Sequence, residues 1–325
     1  MKVSFFQVTK YFLGCFLFVI SFSVFSKTTI RIANLEIAPF LPVAFMEKLA
    51  SKYDLELKYT NFRRGLEAAQ ALKSGEVDVA VGGVEAAISA ISGGMPAVLI
   101  SGVSTGGIAW VSQPDQDIKS VKDLKGKKFA VIAGLHELVM RVEFEKYGLS
   151  MSTEPGKADV QVFFINSPPA LINAMKSKSV DAMSGPEPVP SQAINLKVAK
   201  PMLRPYDTVL GNIPRGIFMS KEYYSKNKEA ASRFVSALVE ATKMLRDNPK
   251  LAKEFALNEA LKDGMTSEDW NLTASNMAFD ISLTETQIQA YIEYMLKYGM
   301  IKSNLKVNEI TDLSMLEKAK VTHKW

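Results

Sequence analysis

Ala71-Leu-Lys-Ser-Gly-Glu-Val-Asp-Val-Ala-Val-Gly-Gly-Val-Glu-Ala-Ala-Ile-Ser-Ala90 is the stretch that decides the fold, because the chain contains it twice. The second copy is Ala174-Met-Lys-Ser-Lys-Ser-Val-Asp-Ala-Met-Ser-Gly-Pro-Glu-Pro-Val-Pro-Ser-Gln-Ala193. At a constant offset of 103, seven of the twenty positions are identical, including Lys73/Lys176, Ser74/Ser177, Val77/Val180, Asp78/Asp181 and Gly82/Gly185. Each copy reads as a helix end, a tight turn, a short apolar strand and a glycine-marked loop. A carboxylate, Glu85 or Glu187, follows the glycine closely in each.

The flanking segments extend the repeat. A strand at Ile30–Asn34 leads to a turn at Glu36–Pro39 and a helix ending near Lys52. A strand at Phe129–Ala133 leads to Gly134-Leu135-His136 and a helix ending near Lys146. Further strands follow at Glu56–Tyr59 and Val160–Ile165. Each half is therefore strand–helix–strand–helix–strand, the pattern of a mostly parallel sheet covered by helices in an α/β fold. In open α/β sheets, ligands gather beyond the carboxyl ends of the strands. Two such lobes facing one another enclose a cleft, and several of its helix starts attract oxyanions through free N–H groups.

Composition narrows the function. The 325 residues are 47% hydrophobic and 22% charged, a globular balance. The net charge of +5 falls to +3 beyond residue 26 and is interleaved, so nucleic acid is not an expected partner. A single cysteine, Cys15, leaves no disulfide or zinc-finger pattern, and the two histidines, His136 and His323, form no metal motif. No phosphate-binding glycine loop or nucleophile elbow occurs, so neither a metal, a cofactor nor a catalytic residue is expected, and the chain does not read as an enzyme.

Residues 1–26 read as a secretory leader. Lys2 and Lys10 precede an apolar run from Tyr11 to Phe25 that is too short to span a bilayer, and Val24 and Ser26 suit cleavage after Ser26. Phe12-Leu-Gly-Cys15 looks like a lipid-attachment site, but the apolar run continues ten residues past Cys15, which argues against it. The protein is expected to be exported and periplasmic.

Leu72-Lys-Ser-Gly-Glu-Val-Asp-Val-Ala80, Ser120-Val-Lys-Asp-Leu-Lys-Gly-Lys-Lys-Phe-Ala-Val131, and Ala170 to Ala182 running into Gly185-Pro-Glu-Pro188 resemble the periplasmic substrate-binding proteins of ABC importers, in the nitrate, sulfonate, taurine and thiamine-precursor group. The resemblance covers roughly residues 28–260. It implies the two-lobed type II fold, with lobe one at 27–108 and 208–325, lobe two at 109–207, and a hinge near Thr105–Trp110 and Tyr206–Arg215. Gly102, Gly106 and Gly107 would suit that hinge. It further implies a small-molecule ligand, a membrane permease as partner and a monomer. The ligand would be a sulfonate, nitrate or taurine; an aminopyrimidine thiamine precursor is the alternative. A pyrimidine-synthesising enzyme on the same fold would carry a cysteine-rich motif that this chain lacks.

The candidate ligand contacts follow. Ile37, Ala38 and Pro39 start the first helix, and their backbone would meet an anion. Gly83, Val84 and Glu85 lie where relatives carry a small or hydroxyl residue. A carboxylate at a helix start is favoured by the dipole even without a ligand; if Glu85 faces the cleft, a bare sulfonate or nitrate is disfavoured. Gly134, Leu135 and His136 form the matching helix start in lobe two. Ser167 is placed to cap the next helix or to bind ligand, with capping the expected use. Pro186 and Glu187 fall where relatives place a polar group in the cleft. Arg215, at the return crossover, could neutralise an anion, although a solvent-exposed arginine is the plainer expectation. Beyond residue 220 the pattern is helical, with Met244, Met277 and Met295 expected in ordinary core packing.

Overall fold

The computed structural model describes residues 27–262 and 264–325. The expected leader, its cleavage after Ser26 and Cys15 lie outside them. Two six-stranded mixed sheets, each flanked by helices, organise the described chain. The first contains β1 (Thr28–Leu35), β2 (Leu55–Phe62), β3 (Val79–Gly83), β4 (Ala97–Gly106), β11 (Arg215–Ser220) and β12 (Met277–Ala278), in the order β12-β4-β11-β3-β1-β2. The second contains β5 (Ile108–Ser112), β6 (Lys128–Val131), β7 (Met151–Ser152), β8 (Val160–Phe164), β9 (Ala182–Pro186) and β10 (Lys200–Leu203), in the order β10-β5-β9-β6-β8-β7. We call the body around each sheet a lobe.

The repeat offset maps one lobe onto the other. Shifting by 103 carries β3 onto β9 and the helix Gly65–Lys73 onto the helix Pro168–Lys176, residue for residue. In the first lobe β1 runs parallel to β2 and β3, and β11 is antiparallel to β3 and β4. In the second, β6 runs parallel to β8 and β9, and β5 is antiparallel to β9 and β10. Strands covered on both faces are mostly apolar, and every residue of β3 and of β9 is buried.

The repeated Val-Asp has a structural role. Asp78 precedes β3, and its Oδ2 accepts from the backbone N–H of Arg31 on β1 at 2.9 Å while Arg31 clasps the carboxylate. Asp181 precedes β9 and accepts from the backbone N–H of Lys128 on β6 at 2.7 Å. In each lobe one carboxylate satisfies a backbone N–H of the neighbouring strand and fixes the crossover.

The chain passes between lobes where β4 becomes β5, and Gly106 and Gly107 make the bend at φ 73° and 70°. Positive φ is cheap only for glycine. It returns through the segment between β10 and β11, and Asn276, at the end of the helix Ser267–Ser275, joins the junction: Gly106 N–H donates to Asn212 O and Gly107 N–H to Asn276 O. The Tyr206 hydroxyl accepts from Ile108 N–H at 3.1 Å and lies 2.8 Å from Ile108 O. Gly102 is not a hinge point; a Cβ there would collide with the Ile281 carbonyl oxygen, so the glycine permits a close backbone approach.

Two further expectations change. The helix after β1 breaks into a 3₁₀ turn at Ala38–Phe40, a short helix at Leu41–Phe45 and two more 3₁₀ pieces, with Pro39 and Pro42 withholding two backbone donors. Met295 is buried and Met277 half-buried, but Met244 is exposed on the long helix Lys228–Asp247.

Candidate functional site

A cavity of about 70 Å³ lies between the lobes at the carboxyl ends of β1, β3, β6 and β9. Leu35, Ile37, Phe40, Gly83 and Glu85 line it from the first lobe, and Ile132, Ala133, Leu135, His136, Pro168 and Pro186 from the second. Arg215, from the start of β11, closes the floor. The cavity shares Ile37, Arg63 and Pro168 with an outer groove of about 730 Å³, so it forms the inner end of a cleft that opens to solvent.

Three titratable side chains are buried here. Glu85 sits in the first turn of the helix Val84–Ser92 and is 6% exposed. Loss of water pushes its carboxyl up to about 7, against the pull of the Arg215 charge and of the backbone N–H groups of Glu85, Ala86 and Leu135. The first two belong to its own helix; Leu135 begins the helix Leu135–Lys146 across the cleft. None of these donors closes a hydrogen bond of good geometry on Oε2, which has no partner among the described residues. Arg215 is 2% exposed, so it is not the solvent-exposed arginine expected. Burial lowers its pKa, and the charge of Glu85 opposes that. Its Nη2 makes only a long 3.5 Å contact to Gly107 O, and Nη1 has no partner among the described residues. His136 is held neutral, its pKa driven down to about 3 by burial and by Arg215, and its Nδ1 lies 3.2 Å from the Ser184 hydroxyl. A buried acceptor and a buried cationic donor thus face one cavity, each with an unused hydrogen-bonding atom.

Of the sequence-derived candidates, the cavity brings together Ile37, Gly83, Glu85, Leu135, His136, Pro186 and Arg215. Gly134 lies against it: a Cβ there would come within 3.3 Å of Glu85 Oε1. Ala38, Pro39 and Val84 are buried in the packing behind and are not in the lining. The helix start expected at Ile37–Pro39 is a three-residue 3₁₀ turn in which Pro39 has no N–H to offer, so it is no anion site. Ser167 precedes the helix Pro168–Lys176 but makes no side-chain cap, contrary to the capping expectation; it lines the outer groove instead.

Glu187 turns away from the cavity. Its Oε2 accepts from the hydroxyls of Ser191 at 2.7 Å and Thr273 at 3.2 Å, and its Oε1 accepts from Asn276 Nδ2 at 2.8 Å. Burial raises its pKa, and these donors oppose the rise. The network ties the second lobe to the helix Ser267–Ser275 and to Asn276 at its end, so Glu187 braces the lobes.

Arg63 and Arg64 also line the cavity and were missed. Arg64 pairs with Glu67 at 2.8 Å, while Arg63 is exposed at the mouth. The signal was present: Phe62 ends β2 and Gly65 begins a helix, so these arginines occupy a strand carboxyl end like those at β1, β3 and β6.

Comparison with known proteins places this geometry. A Brachyspira hyodysenteriae protein provisionally named as an ABC transporter periplasmic binding protein is 26% identical over 260 residues, 74% of this chain and 72% of the relative. Among solved structures, the nitrate-binding protein NrtA of Synechocystis superposes with a TM-score of 0.78 at 13% identity, covering 91% of this chain and 89% of its own. The alkanesulfonate-binding protein SsuA of Xanthomonas axonopodis, bound to MOPS, does so at 0.72 and 15% identity, covering 88% and 99%. Likeness at such identity establishes a shared periplasmic-binding-protein fold. The NMT1-like family matches residues 27–258, and this chain belongs to the NMT1-like family.

Proposed function

We propose that this protein is the solute-binding component of an ABC-type importer, exported to the periplasm, which captures a small polar or anionic organic solute between its lobes and delivers it to a membrane permease. The observation that carries this reading is the cavity at the strand carboxyl ends of both lobes, lined by the buried, under-used guanidinium of Arg215. Family membership and the binding proteins named above support a receptor in preference to an enzyme. No helix among the described residues is long and apolar enough to cross a membrane. The two-glycine bend at 106–107 supports hinge closure, in which contacts made only in the closed state offset the preference for the open one.

A receptor for an aminopyrimidine or related heterocycle is a second reading. The unpartnered Oε2 of Glu85 favours it, since a carboxylate accepts from ring amines. Thermal unfolding of residues 27–325 against sulfonates, nitrate, taurine and aminopyrimidines, paired with small-angle scattering, tests both. A solute at one hundred times its dissociation constant stabilises by about 2.7 kcal/mol and compacts the protein. A panel in which no solute raises the melting temperature or changes the scattering would refute the receptor reading.

A further inference from the structure

Glu85 occupies the point where two helix N-termini converge. The helices Val84–Ser92 and Leu135–Lys146, one from each lobe, direct their first N–H groups toward its carboxylate. Such convergent donors are what an oxyanion seeks. The chain makes room for the carboxylate with glycine on both sides: a side chain at Gly83 would run into Oε2, and Gly134, at φ 94°, has its absent Cβ 3.3 Å from Oε1. An independent observation points to a ligand here. Arg215 is buried, lines the same cavity and has Nη1 unused among the described residues.

We propose that Glu85 is the charge filter of this site: its own carboxylate fills the oxyanion cradle, so the cavity refuses a free oxyanion while Glu85 is ionised and accepts a small solute that brings a hydrogen-bond donor to Oε2 and an acceptor to Nη1 of Arg215. The inference rests on the cleft being the ligand site. It separates this chain from a site that offers only donors to its ligand.

The filter is switchable by pH because its neighbours do not titrate in the same range. Arg215 on β11 and Arg63 and Arg64 before the helix Gly65–Lys73 line the same cavity. His136 on the helix Leu135–Lys146 stays neutral down to about pH 3. Tyr291, on the helix Glu285–Lys297, is raised by burial and stays neutral. With the Glu85 carboxyl at about 7, roughly 3% of molecules hold it protonated at pH 8.5 and nearly all do at pH 5.5. If only the protonated form admits the anion, apparent affinity differs by about 30-fold.

Calorimetric titration of wild-type protein and Glu85→Gln with methanesulfonate and with 4-aminopyrimidine, at pH 5.5 and 8.5, tests this. The expected result is wild-type binding of methanesulfonate that weakens about 30-fold between pH 5.5 and 8.5, and E85Q binding that is tight and equal at both. Equal wild-type affinity at the two pH values overturns the filter without recourse to any variant. E85Q that binds 4-aminopyrimidine but gains no methanesulfonate binding at pH 8.5 overturns the filter and leaves the receptor reading intact. Absence of binding by either protein to either solute overturns both.

Discussion

Replacing Glu85 with glutamine should stabilise the protein, by an amount that depends on pH in a way the structure dictates. Burial raises the folded-state pKa from 4.5 to about 7, so between those values the folded protein holds a proton that the unfolded chain releases. Stability from this group is therefore fully present below pH 4.5 and is lost as pH rises through about 7. The loss is about 3 kcal/mol at 1.36 kcal/mol per unit, undiscounted because the carboxylate is buried. Glutamine has the shape of the protonated acid and never ionises. E85Q should match wild type at pH 4.5 and exceed it by about 3 kcal/mol at pH 8, which is roughly 6 °C in melting temperature at ~2 °C per kcal/mol. Wild type alone would conceal this. His136, depressed from 6.5 to about 3, contributes stability that is lost as pH falls below 6.5, so the two slopes oppose one another between pH 4.5 and 6.5. Urea unfolding of both proteins across pH 4.5–8.5 isolates the Glu85 contribution as a difference. A difference that is constant with pH, or a wild type more stable than E85Q at pH 8, would refute the burial argument.

Four other outcomes follow from the same physics. His136→Gln should flatten the acid limb of the stability profile between pH 6.5 and 4, worth about 3 kcal/mol at pH 4, read as a shift of the acid-unfolding midpoint. Glu187→Ala strips the acceptor from Ser191, Thr273 and Asn276 and should cost about 2–4 kcal/mol in urea unfolding, with Glu187→Gln costing less. Asp78→Ala and Asp181→Ala each orphan a backbone N–H of the neighbouring strand in their own lobe and should cost similar amounts, about 1–3 kcal/mol. Gly102→Ala forces a Cβ against the Ile281 carbonyl and should lower stability by about 1–3 kcal/mol, whereas Gly75→Ala, in open space, should be limited to the cost of its φ of 76°.

What the sequence made legible was whatever depends on local periodicity. The 103-residue register of Lys-Ser, Val-Asp and Gly predicted two equivalent lobes, and the bounds of β3 and β9 coincide at that offset. The chemistry of the shared Val-Asp was legible only as a pattern, because the N–H groups it satisfies lie on strands 47 and 53 residues away. The site was half legible for the same reason. Strand ends at β1, β3, β6 and β9 were read correctly as cleft-forming, yet Arg63 and Arg64 at the end of β2 were passed over. Burial was not legible at all for Arg215, whose surroundings come from both lobes. Nor was the direction of Glu187, since its partners Thr273 and Asn276 sit in the carboxyl-terminal third that sequence periodicity marked only as helical packing.

The repeat is informative chiefly where it fails. In the first lobe the helix begins immediately after Gly83, so Glu85 is the second helical residue and its side chain folds over the free N–H groups into the cavity. In the second lobe Glu187 and Pro188 intervene after Pro186, and the helix begins only at Val189. Glu187 therefore stands before its helix, and it accepts from Ser191 four residues on and from the junction beyond. A shift of two residues in where the helix starts sends one carboxylate into the cavity and the other to the brace between lobes. The duplicated elements carry the fold and the mismatch between them decides where each carboxylate goes, so exchanging Glu85 alone should change what binds while leaving intact the bracing that Glu187 supplies.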